Sequence, residues 1–353
     1  MEPLRPKPPF HIPSLDGIRA VSIMIVYLAH AGLSHLIPGG FGVTVFFFLS
    51  GFLISTLLRR EFANNGRISF KNFYLRRVLR IFPPFYTALA LSIVLLAVGA
   101  LPGVLDWGGI AWLALHAGNY LQVLEGTARI PAGTGVYWSL AVEEHYYLTY
   151  PFLALFLLRR NDRRLSAVVL TLVGILVLGW RIYLVEQGVS EDRTYLASDT
   201  RVDSILWGCL LAMSYNPLLD PPARMGATGR VLLLVVAFAV LLGCLVYRDP
   251  AFRETYRYTL QGLALLPIFY IAIANANWPV FRWLEWKAVR HIGVLSYSLY
   301  LIHHVLLYSG EHLAPAMNAW LRGALVLVLC LVLSQISLRY MEQPVANLRK
   351  RYR

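Results

Sequence analysis

The sequence predicts an all-α, polytopic membrane protein: a bundle of about ten transmembrane helices with both termini in the cytoplasm. Three observations predict it. Hydrophobic residues make up 58% of the 353-residue chain and charged residues only 14%, where a soluble domain carries roughly 25% charged residues. Mean hydropathy is +0.57, and the apolar residues gather into runs close to the ~20 residues that cross a hydrocarbon core. Finally, lysine and arginine fall overwhelmingly on one side once successive spans alternate in direction.

Runs and breaks place the spans at 16–34, 42–58, 84–101, 136–158, 165–186, 202–216, 229–247, 257–276, 291–309 and 319–340. The sixth is short and the fourth contains polar residues. The semi-apolar stretch 107–124 reads as a re-entrant or interfacial piece on the outer side. With the N-terminus inside, the inner segments collect 22 lysines and arginines, seven of them (Arg59, Arg60, Arg67, Lys71, Arg76, Arg77 and Arg80) ahead of the third span. The outer segments hold five: Arg129, Arg193, Arg201, Arg248 and Arg253. Topology therefore accounts for the formal charge of +13 without a nucleic-acid partner; the partner implied by composition is the lipid bilayer.

The Pro-rich start, with Arg5 and Lys7, reads as a short flexible arm over residues 1–13. It is not a cleaved signal: Asp16 and Arg19 interrupt the approach to the first apolar run, and no small-residue cleavage site follows. With no repeat and no long hydrophilic stretch, residues 1–353 read as a single membrane domain without an appended soluble domain. The three cysteines, Cys209, Cys244 and Cys330, lie far apart in apolar spans and read as reduced packing residues. The nine histidines do not cluster with spaced carboxylates, so no metal is expected.

Chemistry must then come from polar residues in or beside the membrane, where charge is costly and is kept for a function or a buried partner. In the first span Asp16 and Arg19 stand near the inner surface and His30 toward the outer one, with Tyr27 one turn before it. Eleven residues separate Arg19 from His30, which puts them within about 20° of one helix face and roughly 16 Å apart along the axis. Histidine is the side chain most suited to general-base work near neutral pH. The Gly39–Ile54 stretch, rich in small residues, suits close helix packing or a narrow slot for a thin chain.

The next inner loop delivers Arg76, Arg77 and Arg80 among aromatic residues, closed by a Pro83-Pro84 stop. Arginine forks bind phosphates bidentately, and aromatic faces hold a planar base. In the fourth span Ser139, Glu143 and Tyr147 share a face at i, i+4 spacing, and Glu143 is a candidate acid/base or histidine partner. Weaker signals are Arg201 with Asp203, then Ser296, Tyr300 and His303 on one face with His304 turned away from it, and Glu342 at the end of the last span. Each of these alone fits a structural hydrogen bond or ion pair better than catalysis.

Taken in order, Ser14 to Ala20 with His30, Gly42 to Ile54, Arg76 to Ile81, Trp138 to Glu144, Ser296 to Leu301 and Tyr340 to Pro344 resemble acyltransferase family 3 of integral membrane O-acyltransferases. The resemblance covers essentially the whole chain. It implies a ten-helix domain of a bacterial inner membrane that takes acetyl or another acyl group from cytoplasmic acyl-CoA. The acceptors it implies are sugars of lipopolysaccharide, exopolysaccharide, peptidoglycan or secondary metabolites. By position it makes His30 the catalytic histidine, Arg19 its motif partner, Arg76 and Arg80 acyl-CoA contacts, and Glu143 an essential carboxylate.

Two departures from the family stand out. Some members carry an extra extracytoplasmic hydrolase-like domain; this chain, without one, is expected to acylate its acceptor directly or to pass the group to a separate extracytoplasmic partner. His303 and His304 also stand where the family has a histidine followed by a different residue. The mechanism that follows places acyl-CoA phosphates on Arg76, Arg77 and Arg80, with His30, oriented by Glu143 or Tyr27, taking the proton of a sugar hydroxyl. The alternative reading is a multi-span transporter or flippase, for which buried His, Arg and Glu are also typical.

Overall fold

The computed structural model describes residues 12–222 and 225–349, and their regular structure is helical throughout. The N-terminal arm expected over 1–13 lies outside the described residues apart from Ile12 and Pro13. Helix α1 (Leu15–Leu28) continues into a π-helical turn, Ala29–Leu33. It is followed by α2 (Gly39–Asn65), α3 (Phe70–Ala97), α4 (Trp107–Ala114), α5 (Gly118–Glu125), α6 (Trp138–Arg160), α7 (Arg163–Glu186), α8 (Glu191–Leu196) and α9 (Ser198–Ser214). Then come α10 (Ala227–Val246), α11 (Pro250–Glu254), α12 (Tyr256–Ala274), α13 (Pro279–Arg282), α14 (Lys287–Leu313) and α15 (Ala319–Ser337). A second π turn, Leu338–Glu342, leads into α16 (Gln343–Arg349).

Eight helical segments among the described residues are long and apolar enough to cross a membrane. The other two of the ten predicted spans are α6 and α9, and each departs for a physical reason. Helix α6 has 23 residues but carries Glu143, Glu144, Arg159 and Arg160. Helix α9 has only 17, of which 13 are buried. It is an inner helix, enclosed by protein more than by lipid. By contrast α10 and α15 turn Leu232, Val235, Val236, Leu325, Val328 and Val332 outward, where hydrocarbon rather than water receives them. The chain is a multi-pass membrane protein.

Close packing of α9 depends on two glycines. A Cβ on Gly51 would lie 2.0 Å from the Ile205 carbonyl oxygen, and one on Gly208 only 1.9 Å from that of Phe48. The backbones of α2 and α9 thus meet directly, the contact that small residues permit between membrane helices. This is the packing role, not the slot role, for that part of the Gly39–Ile54 stretch. The opposite side of α2 lines the site described below.

One local expectation is corrected, and another takes definite form. Pro83 and Pro84 do not stop a loop: they lie inside α3, which starts at the Ser69 cap, so Arg76, Arg77 and Arg80 stand on the helix itself. Proline removes ladder hydrogen bonds, but spanning helices tolerate it within a packed bundle. The carbonyls that lose a ladder donor are those of Leu79 and Arg80. Beside the prolines Thr87 donates to the Pro83 carbonyl at 2.9 Å, and Tyr297 to that of Ile81 at 2.8 Å, which ties α14 to α3. The 107–124 stretch is two eight-residue helices, α4 and α5, broken at His116 with φ 54°. At about 12 Å each they are too short to cross.

Candidate active site

Helices α1, α2, α3, α6 and α14 enclose a central cavity of about 100 Å³. The cavity gathers Arg19, Arg77, Arg80, Ser139 and Glu143, five of the residues singled out from sequence. A larger space of about 980 Å³ between the end of α2 and the start of α3 adjoins it and shares Ile54, Arg77 and Arg80 with it. That space is also lined by Arg60, Arg67 and Arg76. Arg76 is held by Glu61 at 2.6 Å, whose other oxygen accepts from the Ser69 amide at 2.8 Å. The Arg77 guanidinium lies 5.8 Å from the Phe73 ring centroid and 5.6 Å from that of Tyr147. Such a space suits a ligand with several phosphates and a planar base.

On the far side of Arg19 and Arg80 is a recess of about 230 Å³ that also takes in Asp16 and Glu342. Asp16 pairs with Arg19 at 2.9 Å. Glu342 is held by the Ser298 hydroxyl at 2.6 Å, with Ser337 at 3.3 Å. These residues brace the inner ends of α1, α14 and α15 around Arg19.

Glu143 does face the cavity with Tyr147, as its spacing predicts, but it does not orient His30. Its two oxygens accept from the Ser50 hydroxyl at 2.8 Å and from the Tyr147 hydroxyl at 3.0 Å. Tyr27 does not orient His30 either, because its hydroxyl donates to the Gly323 carbonyl at 2.6 Å. The residue that holds His30 is His303: Nδ1 of His30 and Nε2 of His303 are 2.9 Å apart. His304 is not turned away, since its ring stacks on His30 with centroids 4.2 Å apart and 21° between planes.

The hydrogen bonds fix the direction of this pair. Nδ1 of His303 lies 2.7 Å from the Tyr300 carbonyl oxygen, which can only accept, so Nδ1 carries the proton. In the neutral ring Nε2 then accepts, and His30 must donate from Nδ1. His30 is left with a lone pair on Nε2. Its side chain is exposed at the outer end of α1, on the π turn that interrupts the helix; such turns are frequent at functional sites.

Tyr300 also joins the two parts of the site. Its hydroxyl, 2.8 Å from the Val136 carbonyl and 2.7 Å from Ser139 Oγ, closes the outer end of the cavity. Phe46 packs edge-on against it at 6.2 Å. Asp203, by contrast, is far from this chemistry. It is fully buried in an ion pair with Arg181, through two contacts of 2.8 Å. Arg181 was legible as a charge inside the fifth span, but nothing in its sequence neighbourhood pointed to a partner 22 residues on.

Comparison with known proteins adds the lineage. The chain is 27% identical to the peptidoglycan O-acetyltransferase OatA of Listeria monocytogenes, over 95% of this chain and 56% of that protein. It is 26% identical to the putative peptidoglycan O-acetyltransferase YrhL of Bacillus subtilis, over 95% of this chain and 55% of that one. For the O-acetyltransferase OatA of Staphylococcus aureus the identity is 27%, over 96% and 57%. The chain thus spans about half the length of these relatives. No solved structure matches it. The family described as "Acyltransferase domain" matches residues 12–339, from the start of α1 to the π turn after α15, and the chain belongs to that acyltransferase family.

Proposed function

We propose that this protein moves an acyl group, acetyl foremost, from acyl-CoA at the inner face of a bacterial inner membrane to a hydroxyl of an extracytoplasmic or lipid-linked sugar. The observation that carries the reading is the His30–His303 pair, which leaves an unprotonated imidazole nitrogen on His30, with the His303 ring 5.5 Å from that of Tyr300, which lines the arginine-bearing cavity. The phosphates of acyl-CoA sit on Arg76, Arg77 and Arg80, and the thin pantetheine arm enters the cavity past Glu143, Ser50 and Tyr147. Arg19, braced by Asp16, keeps the cavity positively charged at its inner end.

In the chemical step the acceptor oxygen attacks the thioester carbonyl. A C–O bond forms, the C–S bond breaks, and Nε2 of His30 takes the hydroxyl proton and returns it to the departing thiolate. His303 positions the ring and shares the transient charge through the Nδ1 hydrogen bond. The thioester reaches His30 by passing the Phe46–Tyr300 pair. The relatives' names support acetyl as the group and a peptidoglycan-type glycan as the acceptor, ahead of lipopolysaccharide or exopolysaccharide. A separate extracytoplasmic acyl-transfer protein is the other acceptor proposed.

The test is thiol release from acetyl-CoA by protein reconstituted in liposomes, with and without cell-envelope glycan. His30→Ala is expected to lower glycan-dependent release by about 10²- to 10⁴-fold, the usual worth of a general base. Undiminished release from that variant would sink the assignment, and no release from the well-folded parent protein would sink acyl-CoA as donor.

A further inference from the structure

The face that the lysine and arginine distribution assigns to the outside carries a second recess, of about 440 Å³, between the chain just after His30 and the α10–α12 connection. Its lining includes Ser34 and His35, four and five residues beyond His30, together with Arg248, Arg253 and Arg257. Three arginines on this side run against the charge bias that otherwise governs the chain. The other outer arginines have been accounted for by partners within the fold. Arg129 pairs with Asp106 at 2.7 Å and Glu125 at 3.0 Å, and Arg193 with Asp199 at 2.5 Å. Arg201 is fully buried, with its guanidinium 3.9 Å from the Tyr258 ring centroid.

Arg248 and Arg253 differ. Both are exposed, and among the described residues neither has a carboxylate within ion-pair distance. The acidic residues nearest in sequence are engaged elsewhere. Asp249 caps α11 by accepting from the Phe252 amide at 2.7 Å. Glu254 accepts from Thr194 at 2.7 Å and from Tyr258 at 3.3 Å. Arg257 divides Nη2 between the Tyr258 hydroxyl at 2.9 Å and the Glu254 carboxylate at 3.5 Å, while its buried Nε has no partner among the described residues. The result is a concave site with two uncompensated arginines, Arg248 and Arg253, that adjoins the segment carrying His30 and has a volume in the range of small-ligand pockets.

We propose that this recess binds the anionic group, carboxylate or phosphate, of the acceptor glycan, and that Arg248 and Arg253 grip it as a pair of guanidinium forks. Arg257 and His35 complete the rim, and the bound sugar projects its hydroxyl toward His30. This inference rests on the acyl-transfer reading and names the acceptor class: an acidic sugar rather than a neutral one. It also gives the outer arginines a reason to exist where topology disfavours them.

The experiment uses the whole protein in phosphatidylcholine vesicles and three probes. These are an N-acetylhexosamine bearing a carboxylate, its neutral methyl ester, and the same sugar bearing a phosphate monoester. Binding is read directly by equilibrium dialysis, and acetyl transfer from acetyl-CoA separately. The carboxylate or the phosphate probe is expected to bind about tenfold or more tighter than the ester, and the stronger of the two identifies the source of the charge. In Arg248→Gln/Arg253→Gln that preference is expected to fall about tenfold, with the same fall in the kcat/KM ratio of acid to ester. Equal binding of acid and ester would overturn the proposal, as would a double variant that keeps the preference. Loss of acid binding on adding phosphatidylglycerol to the vesicles would assign the recess to a lipid headgroup and overturn it as well. If binding shows the preference but no transfer occurs, the subsite stands and the acyl-transfer reading falls.

Discussion

The bundle holds two sets of arginines and carboxylates, one fully buried and one half-buried, and they behave in opposite ways. Between α7, α9 and α12, Arg181 and Asp203 are both fully inaccessible and meet through two contacts of 2.8 Å. Arg181 also donates to the Thr200 carbonyl and the Thr259 hydroxyl, each at 2.6 Å, and Thr259 donates to Asp203 at 2.9 Å. Only Nε of Arg181 is left over. Between α1, α2, α3, α6 and α14 the charges face space instead. Arg80 borders all three inner cavities and, among the described residues, has no carboxylate within ion-pair distance. A charge closed by its own neighbours holds helices together; a charge left open to a cavity is available to a ligand.

The closed set should break most expensively. Asp203→Asn leaves Arg181 charged and buried with half its bidentate grip gone, a loss of about 3–5 kcal/mol for a buried pair broken on one side. The expected outcome is a large drop in the thermal midpoint of the detergent-solubilised protein. Removing both charges, as Arg181→Met/Asp203→Leu, is expected to recover most of it, because the desolvation cost vanishes with the pair. A full-size drop in the double variant would mean that these residues do more than hold α7 to α9 and α12.

The open set should break differently. Arg80→Ala is expected to raise the KM for acetyl-CoA about tenfold, worth roughly 1.4 kcal/mol of binding, while the thermal midpoint hardly moves. The comparison sharpens if Arg76→Ala lowers the midpoint as well, since Arg76 is tied to Glu61 at 2.6 Å and Arg80, among the described residues, is not tied to a carboxylate. An Arg80 variant that unfolds but binds acetyl-CoA normally would put Arg80 with Arg181 rather than against it.

The two sets were unequally legible in the sequence. Spans are read easily because the hydrocarbon core demands length and apolarity, and a helix that satisfies both satisfies its own backbone. Arg19 and His30 on one helix, and Glu143 one turn from Tyr147, were visible because local spacing fixes a helical face. The partner of His30 was not, since His303 lies 273 residues away on α14 and pairing across the bundle leaves no local signal. Pro83 and Pro84 misled for a related reason. A proline pair reads as a loop boundary from local sequence, whereas here it lies inside a spanning helix packed in the bundle. Glu143 stands out in the sequence as a carboxylate inside an apolar span, which suits a histidine partner or an acid/base; Ser50 and Tyr147 are the groups that reach it.

A third pair tests whether solvent, rather than geometry, separates the sets. Arg129 and Asp106 meet at 2.7 Å, as tightly as Arg181 and Asp203, but on the outer face with 38% and 33% of their side chains exposed. The hydrogen bond from Arg129, joined by the Gly109 amide, lowers the Asp106 carboxyl to about 2. A depressed carboxyl stabilises the folded state above its unfolded value, roughly 3.9, and that contribution is lost as pH falls through the folded value. Asp106→Asn is therefore expected to shift the thermal midpoint slightly at pH 7. The gap to the parent protein should narrow between about pH 4 and pH 2 and close below that. High salt should narrow it too, because exposed pairs are screened and buried ones are not. If Asp106→Asn at pH 7 cost as much as Asp203→Asn, contact distance alone would set the strength of a pair, and the contrast between closed and open charges would lose its physical basis.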